Sequence, residues 1–182
     1  MTPDKQLKLI AIVLPEPLAS FVREQQKFIS ETWGCRQALR TPPHITLIPP
    51  LKLTDKEILA VESIVYDMSQ NHSVFILNIN GFDAFKPRVV FIKPDLPAEL
   101  KLLQSNLEKG ISKRFPGLLE NDRAFHPHIT LAYRDVTPEK FEEIWKHFRR
   151  KEFSTSVEVD QIQILDHIQH VWVEGKSYVL GG

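Results

Sequence analysis

The sequence predicts an α+β fold: two duplicated α/β lobes, related by a pseudo-two-fold axis, whose antiparallel sheets flank a central cleft. Two observations carry that expectation. The pentapeptide Pro-His-Ile-Thr-Leu occurs twice, at Pro43–Leu47 and Pro127–Leu131. The strands and helices that can be read around each copy also follow the same order, as an internal duplication requires.

Leu7–Leu14 is a short apolar run, the pattern of a buried strand. Pro15 and Pro17 then open a helix to about Trp33, with Leu18, Val22, Phe28 and Ile29 on one side. Gly34–Pro43 reads as a loop, and His44–Ile48 as a strand that Pro49-Pro50 ends. Thr54 and Glu57 form a capping box for a second helix striped by Ile58, Val61 and Val65. Val74–Ile79 and Val89–Ile92 are β-rich. From Val89 the order repeats. Pro94 and Pro97 lead into a helix over about Ala98–Phe115, a loop follows, and the second motif forms a strand. Thr137-Pro138 opens another helix, and Ser154–Leu165 and Val171–Val179 are two more strands. One bilobal domain is expected, with lobes of roughly 1–85 and 86–182 that can exchange strands.

Composition narrows the function. Of 182 residues, 42% are hydrophobic and 25% charged, which suits a globular domain rather than a disordered chain. Lys plus Arg and Asp plus Glu are both 23, so the net charge is zero. Holding long nucleic acid by its phosphates calls for a basic excess, so a nucleic-acid partner should be short or gripped at one end. Cys35 is the single cysteine and cannot form an internal disulfide. Met1–Leu7 has no signal-peptide core, and Leu9–Leu14 is too short to span a bilayer. A cytoplasmic monomer with no membrane partner is expected.

The chemistry follows from strand geometry. Residues i and i+2 of a strand share a face, so His44 projects with Thr46, and His128 with Thr130. Packing the halves about a two-fold brings two imidazoles and two hydroxyls into one pocket. One neutral histidine can take a proton from an attacking hydroxyl or water while the other protonates the leaving oxygen. The threonines can donate to the non-bridging oxygens of a phosphoryl group. The chain offers no glycine-rich phosphate loop, carboxylate cluster or Cys/His metal spacing as another route. His126 and His128 stand two apart, but no acidic or thiol ligand accompanies them, so neither metal nor cofactor is expected.

These residues resemble the two-histidine phosphoesterase superfamily, which contains bacterial 2′-5′ RNA ligase and the RNA 2′,3′-cyclic phosphodiesterases. The resemblance covers almost the whole chain. It rests on Leu9–Pro15, Pro43–Leu47, Gly81–Phe85 leading to Arg88-Val89-Val90-Phe91, and His126–Arg134. It implies a metal-independent enzyme in which His44 and His128 are acid and base, and Thr46 and Thr130 hold phosphate. It further implies a small cyclic nucleotide or an RNA 2′,3′-cyclic phosphate end as the partner. Ile48-Pro49-Pro50 and Ala132-Tyr133-Arg134 depart from the RNA-ligase branch, which leaves the substrate open.

Hydrolysis of a 2′,3′-cyclic phosphate is the expected activity. Joining RNA through a 2′-5′ bond is the reverse direction and has no ATP drive here. A non-catalytic RNA-end-binding module is the third reading, and the intact His and Thr pairs count against it. Arg134 lies six residues past His128, so strand parity points it into the pocket as a phosphate grip. Arg88 is a second candidate at the cleft mouth, and Phe82 and Phe85 are candidates to stack a base. Tyr133 has the opposite parity and is expected in the core or on the surface.

Overall fold

The computed structural model describes residues 4–119 and 124–181. Along the chain run β1 (Gln6–Val13), α1 (Leu18–Trp33), a 3-10 turn (Gln37–Arg40), β2 (His44–Leu53) and α2 (Asp55–Gln70). Then come β3 (Phe75–Phe85), β4 (Val89–Pro94), α3 (Ala98–Arg114), β5 (Ile129–Ala132) and α4 (Pro138–Phe148). The chain closes with β6 (Ser154–Val159), β7 (Gln161–Ile168) and β8 (Val171–Val179).

The strands form one sheet in the order β6-β3-β4-β5-β2-β1-β7-β8, and every pairing is antiparallel. Its two four-stranded halves meet at β2 and β5 through one residue pair, Ile45 opposite Ile129. About that seam β1-α1-β2-α2 matches β4-α3-β5-α4. The sequence halves exchange strands: β3 leaves the first to flank β4, and the β7–β8 hairpin leaves the second to flank β1.

Ser154–Leu165, expected as one strand, is divided at Asp160 between β6 and β7, which lie in different halves of the sheet. Consecutive Cα atoms are only about 3.8 Å apart. The two halves therefore approach each other at this crossing, and the sheet curls. The Asp160 carbonyl accepts from the Leu180 N–H (2.7 Å), continuing the Gln161–Val179 pairing of β7 with β8, and the alternation of the sequence runs across the break without a mark.

The capping signals act as written. Thr54 Oγ1 accepts from the Glu57 N–H while Glu57 Oε2 accepts from the Thr54 N–H (2.7 Å), and Thr137 Oγ1 accepts from the Lys140 N–H. Three local expectations change. β2 runs on through Pro49 and Pro50, because its register with β1 shifts there and a bulge spares the ladder bonds that proline cannot make. β3 continues past Ile79 to Phe85 through a second shift at Gly81, whose φ of 68° suits glycine. Phe28 is 38% exposed and packs edge-on against Trp33, outside the core.

The helices cover one sheet face. Ile10, Ile12, Ile45 and Leu47 point into that core with Val22 and Ile29 of α1 and Leu103, Leu107 and Ile111 of α3. Full burial of each such side chain contributes roughly 1.5–3 kcal/mol. The alternate residues of β1 sit on the other face, where Leu9 and Ala11 pack with Leu165, Val13 and Trp172. His44 and Thr46 share this second face, because they stand opposite Val13 and Ala11.

Candidate active site

Beyond the Ile45–Ile129 pair the register of β2 and β5 is not continued, and a cavity opens to each side of this seam. The smaller, about 190 Å³, is lined by His44, Thr46, His128 and Thr130 together. All four motif residues thus converge, two from each half. The larger cavity, about 570 Å³, shares Thr46 and His128 and continues between apolar walls from Ile48, Phe85, Leu119 and Phe125.

Both imidazoles are held in the same way. His44 Nδ1 lies 2.7 Å from the Pro42 carbonyl, and His128 Nδ1 lies 2.8 Å from the His126 carbonyl. A carbonyl only accepts, so Nδ1–H is the donor in each case. That leaves Nε2 as the atom that gains or loses a proton. The repeat fixes this hydrogen bond twice, two residues before each ring.

The rings differ in setting. Burial pushes the His44 imidazole down to about 4, against the opposing pull of its bond to the Pro42 carbonyl, and the His128 charge lowers it further. His128 is also lowered by burial, partly offset by the His126 carbonyl, with the His126 ring adding to the depression. Thr41, Pro42 and Pro43 ahead of His44 are all buried, whereas His126 ahead of His128 is exposed. On the His128 side the walls are aromatic. Phe85 meets the ring edge-on at 5.1 Å, and Phe91 lies 5.5 Å from it.

The remaining candidates separate. Arg134 lines the smaller cavity, though strand parity is not the reason. β5 ends at Ala132, the Asp135 N–H closes onto the Tyr133 carbonyl (2.8 Å), and Arg134 takes φ of 61°. This turn also brings Tyr133 to the cavity, contrary to its expected place in the core or on the surface, with the Arg134 guanidinium 5.3 Å over its ring. Phe85 lines the larger cavity. Phe82 instead packs on Phe148 and Phe153 (5.0 and 6.1 Å), and Arg88 is exposed at the β3–β4 turn, so neither lines either cavity.

Sequence reasoning missed Gln26 and Trp172, which also line the smaller cavity. Gln26 did leave a signal, as a polar residue four positions from Val22 on the buried stripe of α1. Trp172 left none, because its approach depends on the position of β8 in the sheet. Among the described residues, no group of three or more His, Cys, Asp or Glu side chains is placed to hold a metal ion, and no helix is long and apolar enough to cross a membrane.

Two facing His-x-Thr arms at the seam of a duplicated, curled antiparallel sheet define a two-histidine phosphoesterase. The sequence pattern of the 2′-5′ RNA ligase superfamily matches residues 14–170, and the chain belongs to that family. It is 26% identical over 143 residues to a Bacillus pumilus protein with a provisional phosphoesterase name, covering 77% of this chain and 80% of that one. A Bacillus licheniformis protein with a similar provisional name is 24% identical over 143 residues, covering 77% and 81%. Among solved structures, TT0787 of Thermus thermophilus superposes with a TM-score of 0.74 at 20% identity, over 97% of this chain and 98% of that one. E. coli LigT complexed with 3′-AMP gives 0.67 at 21% identity, over 98% and 99%.

Proposed function

We propose that this phosphoesterase hydrolyses a 2′,3′-cyclic phosphate, carried by a small nucleotide or an RNA end, through acid–base catalysis by His44 and His128. The observation that carries this reading is the paired tethering of the two rings, which leaves both Nε2 atoms as the titrating positions at one small cavity. LigT, a neighbour in fold, has been solved with 3′-AMP, NADP+, ATP and phosphate, which supports a nucleotide in the cleft.

The two cavities suggest a division of labour. The apolar chamber beside Phe85 and Phe125 suits a nucleoside, and the smaller cavity suits the phosphate. The leaving ribose oxygen then departs toward His128, which lines both cavities, while water attacks from the His44 side. His44 Nε2 accepts the water proton, the new P–O bond forms in line, and the ribose P–O bond breaks. His128 Nε2–H delivers its proton to the ribose oxygen. Thr46 and Thr130 donate to the non-bridging oxygens, and Arg134 adds charge at the rim. Burial keeps His44 neutral, as a base must be. The anionic substrate favours protonation of His128 on binding.

A turnover panel tests the reading: the four 2′,3′-cyclic nucleotides, cyclic-phosphate RNA ends, ADP-ribose cyclic phosphate and 2′-5′ dinucleotides. Hydrolysis of at least one cyclic ester is expected, and it should survive exhaustive chelation because both proton transfers belong to histidines. Turnover confined to 2′-5′ dinucleotides, or activity restored only by one divalent ion, would overturn it.

A further inference from the structure

We infer that Gln26, in the middle of α1, is a positioning residue of the site and acts through Thr130. This rests on the reading of the dyad as phosphoesterase machinery. Gln26 is 3% exposed and occupies the buried stripe of α1 between Val22 and Ile29. Its Nε2 donates to the carbonyl of Thr130 at 2.9 Å, reaching from the first half of the chain to the motif strand of the second. Its Oε1 is buried and meets no hydrogen-bond partner among the described residues. The side chain lines the same cavity as both histidines and both threonines.

The fold itself does not call for an amide there. In the matching helix α3 the buried stripe, Leu100, Leu103, Leu107 and Ile111, is wholly apolar. A leucine would fill the same stripe with no polar atoms to satisfy, so packing alone does not call for Gln26. Its value lies in the place of its one bond. Thr130 is one residue past the Ile129–Ile45 pair, where the ladder toward β2 has run out, and β4 supports it from the other side through Phe91. The Gln26 N–H takes the missing role, fixing the peptide that carries the Thr130 hydroxyl. Groups that stabilise a transition state must hold a geometry set before the reaction.

The test uses Gln26→Leu and Gln26→Glu in the full chain. With the best cyclic ester from the turnover panel, Gln26→Leu should lower kcat at least about tenfold and leave KM within about threefold, without lowering the thermal midpoint. Orthovanadate, which mimics pentacoordinate phosphorus, should bind at least about tenfold more weakly, and inorganic phosphate within about threefold of wild type. Gln26→Glu can donate to the Thr130 carbonyl only while its carboxyl is protonated. The ratio of its rate to wild type should therefore fall as pH rises through that ionisation. A Gln26→Leu protein with kcat and vanadate affinity within twofold of wild type overturns the inference. So does a loss matched by a lowered midpoint, or a pH-independent Gln26→Glu ratio. Wild-type protein that hydrolyses no cyclic ester overturns the functional reading instead, and the vanadate comparison still decides the role of Gln26.

Discussion

The two half-sites were built from one pentapeptide, yet they place their histidines in different surroundings. His44 follows three buried residues and carries the larger depression of its imidazole. His128 follows an exposed histidine, leans on Phe85 and Phe91, and borders both cavities. Duplication supplied identical groups, and the loops between helix and strand set them in different surroundings. The connection ahead of His44 buries Cys35, Ala38 and Thr41–Pro43, whereas on the way to His128 Leu119, Ala124 and Phe125 line the larger chamber. Symmetry in the motif with asymmetry around it is what an acid–base pair needs, since one histidine must take a proton while the other gives one.

The largest expected effects test that division directly. His44→Ala and His128→Ala should each lower turnover at least about a hundredfold without unfolding the chain. A cyclic-ester analogue or diester with an activated leaving group needs little protonation, so it should restore rate to His128→Ala and not to His44→Ala. Rescue of His44→Ala alone would exchange the two roles, and equal rescue of both would make the histidines binding groups. Next come the hydroxyls. Thr46→Ala and Thr130→Ala should cost about tenfold to a thousandfold in kcat, as lost oxyanion donors do. Steady-state rates near those of wild type would remove both from the transition state.

A smaller effect compares the two cavities. If the nucleoside occupies the larger one, Phe85→Ala should raise KM about tenfold, in line with about 1–3 kcal/mol for one base–aromatic stack. Trp172→Ala, on the wall of the smaller cavity, should leave KM within about twofold. The opposite ranking would place the base beside Trp172.

Much of this site was legible in the chain because its chemistry is local. Strand parity placed each histidine beside its threonine, and the repeat stated that there were two such arms. Capping residues marked α2 and α4 for the same reason. What was not legible depends on contacts between distant segments. Tyr133 escaped because parity holds only while a strand lasts, and β5 ends at Ala132. Phe82 and Phe85 stand three apart on one regular stretch of β3, so they face opposite sides of the sheet, one toward Phe148 and the other toward His128; parity could not be applied to them because the strand was read as ending at Ile79. The break at Asp160 is a matter of which neighbours β6 and β7 find, and alternation is the same on either side of it.

The smallest expected effect is on stability and separates the two histidines without any substrate. The His44 imidazole is held at about 4 in the folded chain, below its ordinary value of 6.5, chiefly by burial. The unfolded chain therefore binds more protons as the solution is acidified through the ordinary value. Stability is fully present above that value, falls as pH drops toward about 4, and levels off below it, where both states are protonated. Between pH 7 and pH 5.5 this one group should cost the folded state about 1 kcal/mol. His44→Gln removes the titrating group, so its urea midpoint should fall less over that interval than the wild-type midpoint does. His128→Gln should flatten the same curve by less, because His128 has the smaller depression and an exposed neighbour in His126. Equal flattening in both variants would mean that the two rings are buried alike, and the asymmetry of the half-sites would then lie in their walls rather than in the histidines.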